Sequence, residues 1–212
     1  VRAMQEQNPD LVVIAGDFVD DGTGREEMVA AVRALGTLKT PRGVYFAFGN
    51  HDKGYYGPAY RGFSSGELID ELKKNNVKIL EDESETIAGG FCLVGRQDRS
   101  EAERGGRRLT MQELTKDLDP DKFSVVLDHQ PNDYQNQTTA EVDLVLSGHT
   151  HGGQVYVPGF GAPIANSRYG QKYLRGLKEE NGRRLITSVG LGTSILPVRF
   201  CSVPEIVSIE WR

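Results

Sequence analysis

Four short apolar runs each stop at a loop that carries a glycine or acidic residue together with chemistry-bearing side chains. Leu11–Ala15 runs into Gly16-Asp17, and Val44–Phe48 into Gly49-Asn50-His51-Asp52. Phe123–Leu127 runs into Asp128-His129, and Val142–Leu146 into Ser147-Gly148-His149-Thr150-His151. Leu11–Ala15 is a continuous apolar run, as expected for a strand covered on both faces, and the other three read as buried strands beside it. Strands alternating with helices first, and hairpins later, predict an α/β fold with a mixed sheet or two stacked sheets flanked by helices. In open α/β sheets the crevice outside the carboxyl ends of the strands is where ligands bind. The four loops would bring Asp17, Asn50, His51, Asp52, Asp128, His129, His149 and His151 to one rim.

The chain holds 4 histidines, and each follows a strand end. A single buried histidine is more often a hydrogen-bonded core residue than a ligand, and a single Gly-Asp is usually a turn. Nothing in core packing requires every histidine to occupy such a position, so the set predicts a metal centre. Imidazole nitrogen, carboxylate and amide oxygen without thiolate suit Mn²⁺, Fe or Zn²⁺ rather than Ca²⁺. A carboxylate such as Asp17 can bridge two ions about 3.5–4 Å apart, the arrangement used in phosphoryl hydrolysis.

Between the runs, Thr23-x-x-Glu26, Ser64-x-x-Glu67 and Thr110-x-x-Glu113 read as capping boxes that open helices, the first reaching Leu38. Leu109 and Leu114 are placed as a hydrophobic staple for the third. Val77–Leu80, Glu85–Ala88 and Phe91–Gly95 read as strands, the last two joined at Gly89-Gly90. Val155–Val157 reads as a further strand. Lys172–Lys178 and Arg183–Val189 form a hairpin around Asn181-Gly182, and Glu205–Glu210 a closing strand. Residues 96–108, with five arginines, read as a solvated mobile loop. Without repeats, linkers or low-complexity segments, residues 1–212 are expected to form one domain.

Composition excludes several classes. A net charge of −5 with no dense Lys/Arg block offers no nucleic-acid surface. No run of 18 apolar residues and no signal peptide is visible. Cys92 and Cys201, far apart, read as small buried apolar residues rather than a disulfide or zinc pair.

Gly16-Asp17-x-Val-Asp20, Gly49-Asn50-His51-Asp52, His129 and Gly148-His149-Thr150-His151 resemble four of the five blocks of the calcineurin-like metallophosphoesterases. The resemblance covers almost the whole chain in the right order. His149-Thr-His-Gly-Gly-Gln154 and the tail Gly190-Leu-Gly192…Pro197-x-Arg199…Pro204-Glu205-Ile206 are similar to the bacterial phosphodiesterase branch that often carries an N-terminal membrane anchor. The resemblance implies a four-layer α/β/β/α sandwich and a metal-dependent phosphodiesterase or phosphatase. It implies two divalent ions and a phosphate-ester substrate, lipid- or nucleotide-linked in some relatives. Asp17 would bridge both ions, Asn50, His129 and His149 would complete the second site, and His151 would serve the first. His51 would protonate the leaving oxygen, with Asp52 orienting it.

The family's first block, Asp-x-His, supplies two more ligands and is expected upstream of Val1, because Asn8-Pro9-Asp10 resembles the entry to the second strand and Val1–Asn8 the tail of a helix. On this expectation the chain is an N-terminally truncated fragment, and any membrane association, or a cytoplasmic location, would be decided by the upstream part. The missing block leaves open a catalytically impaired, protein-binding scaffold on the same fold, or a single-metal enzyme. Metal content separates them: about two ions per full-length chain for the dinuclear enzyme, one for the single-metal form, none for the scaffold.

Overall fold

The computed structural model describes residues 1–88, 90–140, 142–163, 172–194 and 197–210. In chain order these form α1 (Arg2–Gln5), β1 (Val12–Ala15), α2 (Arg25–Gly36), β2 (Val44–Ala47), α3 (Pro58–Arg61), α4 (Ser65–Lys74) and β3 (Val77–Ile79). There follow β4 (Glu83–Ile87), β5 (Phe91–Gly95), α5 (Arg99–Glu103), α6 (Met111–Thr115), β6 (Phe123–Leu127), α7 (Tyr134–Thr139), β7 (Leu144–Ser147), β8 (Gly176–Glu180) and β9 (Arg183–Thr187). One sheet is parallel, in the order β1-β2-β3; the other is mixed, in the order β4-β5-β6-β7-β9-β8.

Strand side chains alternate between faces, and the alternation sorts the core into three layers of contact. Val44 and Phe46 of β2 pack with Met28, Val32 and Leu35 of α2 and Leu68 and Leu72 of α4. Tyr45 and Ala47 of the same strand turn the other way, onto Leu93, Val125, Leu127, Leu144 and Leu146 of the second sheet. Val94, Val126 and Val145 leave the far face of that sheet against Met111 and Leu114 of α6 and Tyr134 of α7. The order is therefore helices, sheet, sheet, helices, the four-layer sandwich implied by the resemblance. Each fully buried side chain such as Phe46 or Leu127 contributes about 1.5–3 kcal/mol. Among the described residues β1 pairs with β2 alone, and its four residues remain half-buried.

Two capping boxes form as expected. Glu67 accepts from the Ser64 N–H at 2.9 Å while Ser64 Oγ accepts from the Glu67 N–H at 3.2 Å, and Thr110 and Glu113 repeat the exchange. The first is shifted by one residue. The Thr23 hydroxyl donates to Asp20 at 2.8 Å, so Gly24 becomes the cap and its N–H donates to Glu27 at 3.0 Å. Asn181 and Gly182 both take positive φ, the turn that joins β8 to β9.

Four expectations need correction. Residues 205–210 form no strand in the structure. Among the described residues, Val155–Val157 makes single bridges, to Phe200 and Gly161, and no strand. Cys201 is exposed, whereas Cys92 is buried. Residues 96–108 are a solvated loop only in part: residues 102–107 are exposed, but the segment contains α5, and Arg96 is buried against Asp128. Gly89 and residues 164–169 lie outside the described residues, and no described helix is long and apolar enough to cross a membrane.

Candidate metal centre

The site forms where the carboxyl ends of parallel strands from both sheets meet: Asp17 follows β1, Asn50 and His51 follow β2, His129 follows β6, and His149 follows β7. The close approach of these loops requires glycine. Gly16 adopts φ +86°, and a Cβ there would lie 2.5 Å from the Gly49 nitrogen and 2.6 Å from His129 Nδ1. A Cβ on Gly49 would strike the Asp17 carboxylate and backbone nitrogen. Asp17, His149 and His151 themselves have positive φ, at 51°, 65° and 50°. Left-handed backbone at non-glycine residues is unfavourable and persists where surrounding contacts enforce it.

Asp17, His129 and His149 each offer one ligand atom, and these atoms all lie within 4.8 Å of one another. His129 Nε2 is 2.9 Å from Asp17 Oδ2 and 3.2 Å from His149 Nδ1. His129 Nδ1 lies 2.7 Å from the Ala15 carbonyl oxygen. That carbonyl can only accept, so Nδ1 carries a proton and Nε2 faces the cluster. Fixing one imidazole nitrogen with a carbonyl is how proteins aim the other at a metal. Asn50 adds a second sign. It is buried; its amide nitrogen donates to the Tyr55 hydroxyl at 2.8 Å, and its Oδ1 has no hydrogen-bond partner. A buried polar atom without a partner calls for an explanation, and a hard cation would supply it. The donor set and this orphaned oxygen fit a divalent metal.

Electrostatics agree. Burial works against charge on both members of the Asp17–His129 pair, yet their mutual attraction wins: the imidazole is pushed up to about 9 and the carboxyl is held well below its usual range. Burial, then the neighbouring His129 charge, pushes His149 down to about 4. His149 is therefore neutral at pH 7 and ready to ligate.

The remaining expected site residues are distributed as follows. His151 stands apart from the three-residue cluster, with Nδ1 3.1 Å from the Gly192 carbonyl. Its own carbonyl accepts from the Ser202 hydroxyl at 2.8 Å, and Arg199 donates to the carbonyls of Val189 and Gly192. His51 borders the cluster through its backbone N–H, which donates to Asp17 Oδ1 at 2.8 Å. Asp52, expected to orient His51, does not do so. It is fully buried and accepts from the N–H groups of Asp17, Phe18, Val19 and Gly49 at 2.7–3.1 Å. A buried carboxylate needs such donors, and the strand-end loops supply them. Burial, followed by the charge of Asp17, still pushes its carboxyl up to about 7.

The His51 ring pairs instead with Asp21, Nδ1 to Oδ2 at 3.0 Å. Partial burial opposes charge on Asp21, but the His51 ring and the N–H groups of Tyr55 and Tyr56 hold its carboxyl below the usual range. Asp21 was absent from the sequence expectations; only the acid-rich run Asp17-Phe-Val-Asp-Asp21 hints at it. Asp128 faces inward to Arg96, Arg108 and Gln137.

Residues 1–153 match the calcineurin-like phosphoesterase family along 153 of the 212 residues. The chain belongs to that family. Membership supports a metal-dependent phosphoester hydrolase in general and implies divalent metal ions. The chain is 31% identical to the uncharacterized metallophosphoesterase YkuE of Bacillus subtilis, over 97% of this chain and 69% of that protein. It is 32% identical to an uncharacterized metallophosphoesterase of Aquifex aeolicus, over 98% of this chain and 75% of that protein. A transmembrane protein with a metallophosphoesterase domain from Danio rerio is 30% identical over 99% of this chain and 47% of its own length.

Proposed function

We propose that this phosphoesterase hydrolyses a phosphate mono- or diester at a centre of two divalent ions, Mn²⁺, Fe or Zn²⁺. The observation that carries the reading is the meeting of Asp17, His129 and His149 beside the orphaned Asn50 oxygen. These four residues would hold one ion, with Asp17 shared; His151 is assigned to the other. When bound, the ions supply positive charge to phosphate oxygens and acidify water.

The chain's own residues then do the rest. Hydrolysis breaks a P–O bond, and the departing oxygen must gain a proton. His51 is the donor: Asp21 accepts from its Nδ1, which leaves Nε2 for the departing oxygen, and the Tyr55 ring packs edge-on against the imidazole at 5.0 Å. Asp52 keeps the β1 and β2 loops in register beneath it.

The test is metal content together with hydrolysis. The protein, loaded with Mn²⁺, should bind about two ions and cleave 4-nitrophenyl phosphate or its diester. Asp17→Asn and His129→Ala should abolish both. Failure of the parent protein to bind metal would overturn the reading.

A further inference from the structure

The five arginines of residues 96–108 divide by what they touch. Arg96 and Arg108 turn inward to Asp128 and Asp133. Arg99 pairs with Glu103 at 3.3 Å and Arg107 with Glu113 at 3.0 Å, both pairs on the surface. Arg104 reaches the loop that carries Asn50. Its Nη2 donates to the Asn50 carbonyl at 3.2 Å, and its guanidinium lies over the Tyr55 ring at 4.9 Å. Tyr55 is the residue whose hydroxyl accepts from the Asn50 amide. Arg104 is thus fixed at two points to the loop that carries a candidate ligand.

Its charge is only loosely compensated. The nearest carboxylate, Glu101, stands 3.4 Å away and is shared with Lys53 at 3.5 Å. A guanidinium has five N–H donors in a rigid fork, and the bonds to Glu101 and Asn50 use two of them. The side chain is about one-third exposed, at 32%. A cation docked on an aromatic ring, partly open to solvent and beside a phosphoester-hydrolysing centre, has the chemistry of a phosphate grip.

We propose that Arg104, seated on Tyr55 and the Asn50 carbonyl, binds the phosphoryl oxygens of the substrate and is a substrate-recognition residue of this enzyme. The inference rests on the reading of the site as a metal centre for phosphate esters. The bidentate fork and the ring stack make lysine a poor replacement.

The experiment uses metal-loaded protein and two readouts. Inorganic phosphate binding is measured by calorimetry, and KM and kcat are measured with 4-nitrophenyl phosphate and bis(4-nitrophenyl) phosphate. Arg104→Gln should weaken phosphate binding about tenfold to a hundredfold, as expected for a hydrogen bond to a charged group. KM should rise in parallel, with Mn²⁺ affinity unchanged. Arg104→Lys should recover only part of the loss, and it serves if the glutamine variant folds poorly. Arg99→Gln, on the outer face of α5, should behave as the parent. Unchanged phosphate affinity in Arg104→Gln would overturn the proposal, as would a matching loss of Mn²⁺ affinity, which would mean that Arg104 only shapes the Asn50 loop. If the parent itself binds neither Mn²⁺ nor phosphate, the reading of the metal centre fails first and takes this inference with it.

Discussion

His129 Nε2 lies 2.9 Å from Asp17 Oδ2, joining a residue from the mixed sheet to one from the parallel sheet. Without metal this is an ion pair; on the proposed reading both atoms would become ligands and the proton between them would have to leave. The attraction of Asp17, working against burial, raises His129 to about 9, while Asp17 is held well below the carboxylate range. Metal binding at pH 7 to 8 should therefore release a proton from His129, and affinity should rise with pH up to about 9. Calorimetry in buffers of different ionisation enthalpy reads this directly. His149, lowered to about 4, adds no proton at these pH values. The sign for metal-free stability is the reverse. A raised imidazole stabilises fully below its unfolded value near 6.5, and that contribution disappears as pH rises through about 9. A pH-independent metal affinity between 6.5 and 9 would contradict the pairing.

Asp52 joins the same two loops from below, and its removal tests whether it is structural. Asp52→Ala strands four backbone N–H groups in a site with no solvent exposure. Loss of hydrogen bonds to a buried charge should destabilise the protein by about 3 kcal/mol or more. Urea unfolding of the metal-free variant measures it, and metal affinity should drop as the Asp17 loop loosens. A role confined to orienting His51 would leave stability unchanged.

The contrast between Asp52 and Asp21 shows where sequence reading stops. β1, β2, β6 and β7 are legible because a short run dominated by apolar residues and ending at a polar or glycine-bearing loop has few alternatives. The histidines were legible as a set because each interrupts the chain at a strand end. Stacking of the two sheets is not written locally: the strand-end rule brings Asp17 and His129, 112 positions on, to one rim, but which rim residues share an ion is implied only by the family resemblance. Partnerships across 30 to 54 residues, His51 with Asp21 and Arg104 with Asn50, have no periodicity to betray them. The arginine-rich segment misled for the same reason. Its composition reads as solvated, but Asp128, 20 residues beyond Arg108 and 32 beyond Arg96, draws both inward. Thr23 shows the local version: a cap signal loses when Asp20 takes the hydroxyl first.

His51→Ala tests the proton donor. General acid catalysis is worth about 10²–10⁴-fold when the leaving group needs a proton. An alkyl phosphate ester should therefore lose about that much in kcat, and a 4-nitrophenyl ester much less. Asp21→Asn should show the same leaving-group dependence at smaller size, because the ring is kept but its tether at 3.0 Å is weakened. Metal content should be unchanged in both variants. Equal losses across leaving groups would remove His51 from the acid role.

The glycines at the strand ends give the sharpest separation of site from scaffold. A methyl group on Gly49 would occupy the space of the Asp17 carboxylate, while one on Gly57 meets nothing within 4 Å. Gly49 has no positive φ, so Gly49→Ala carries no backbone penalty and acts through the collision alone. The methyl must push Asp17 away from His129, and both sheets hold their ends of that pair rigidly. Gly49→Ala is expected to lose metal binding and activity, with a stability loss of about 1–3 kcal/mol for overpacking. Gly57→Ala is expected to retain metal, activity and stability within about 0.5 kcal/mol. Thermal unfolding with and without Mn²⁺ reads both effects: the stabilisation by metal seen in the parent should persist in Gly57→Ala and vanish in Gly49→Ala. Retention of that metal-dependent shift in Gly49→Ala would show that Asp17 can ligate from elsewhere, and the geometry of the centre would have to be redrawn.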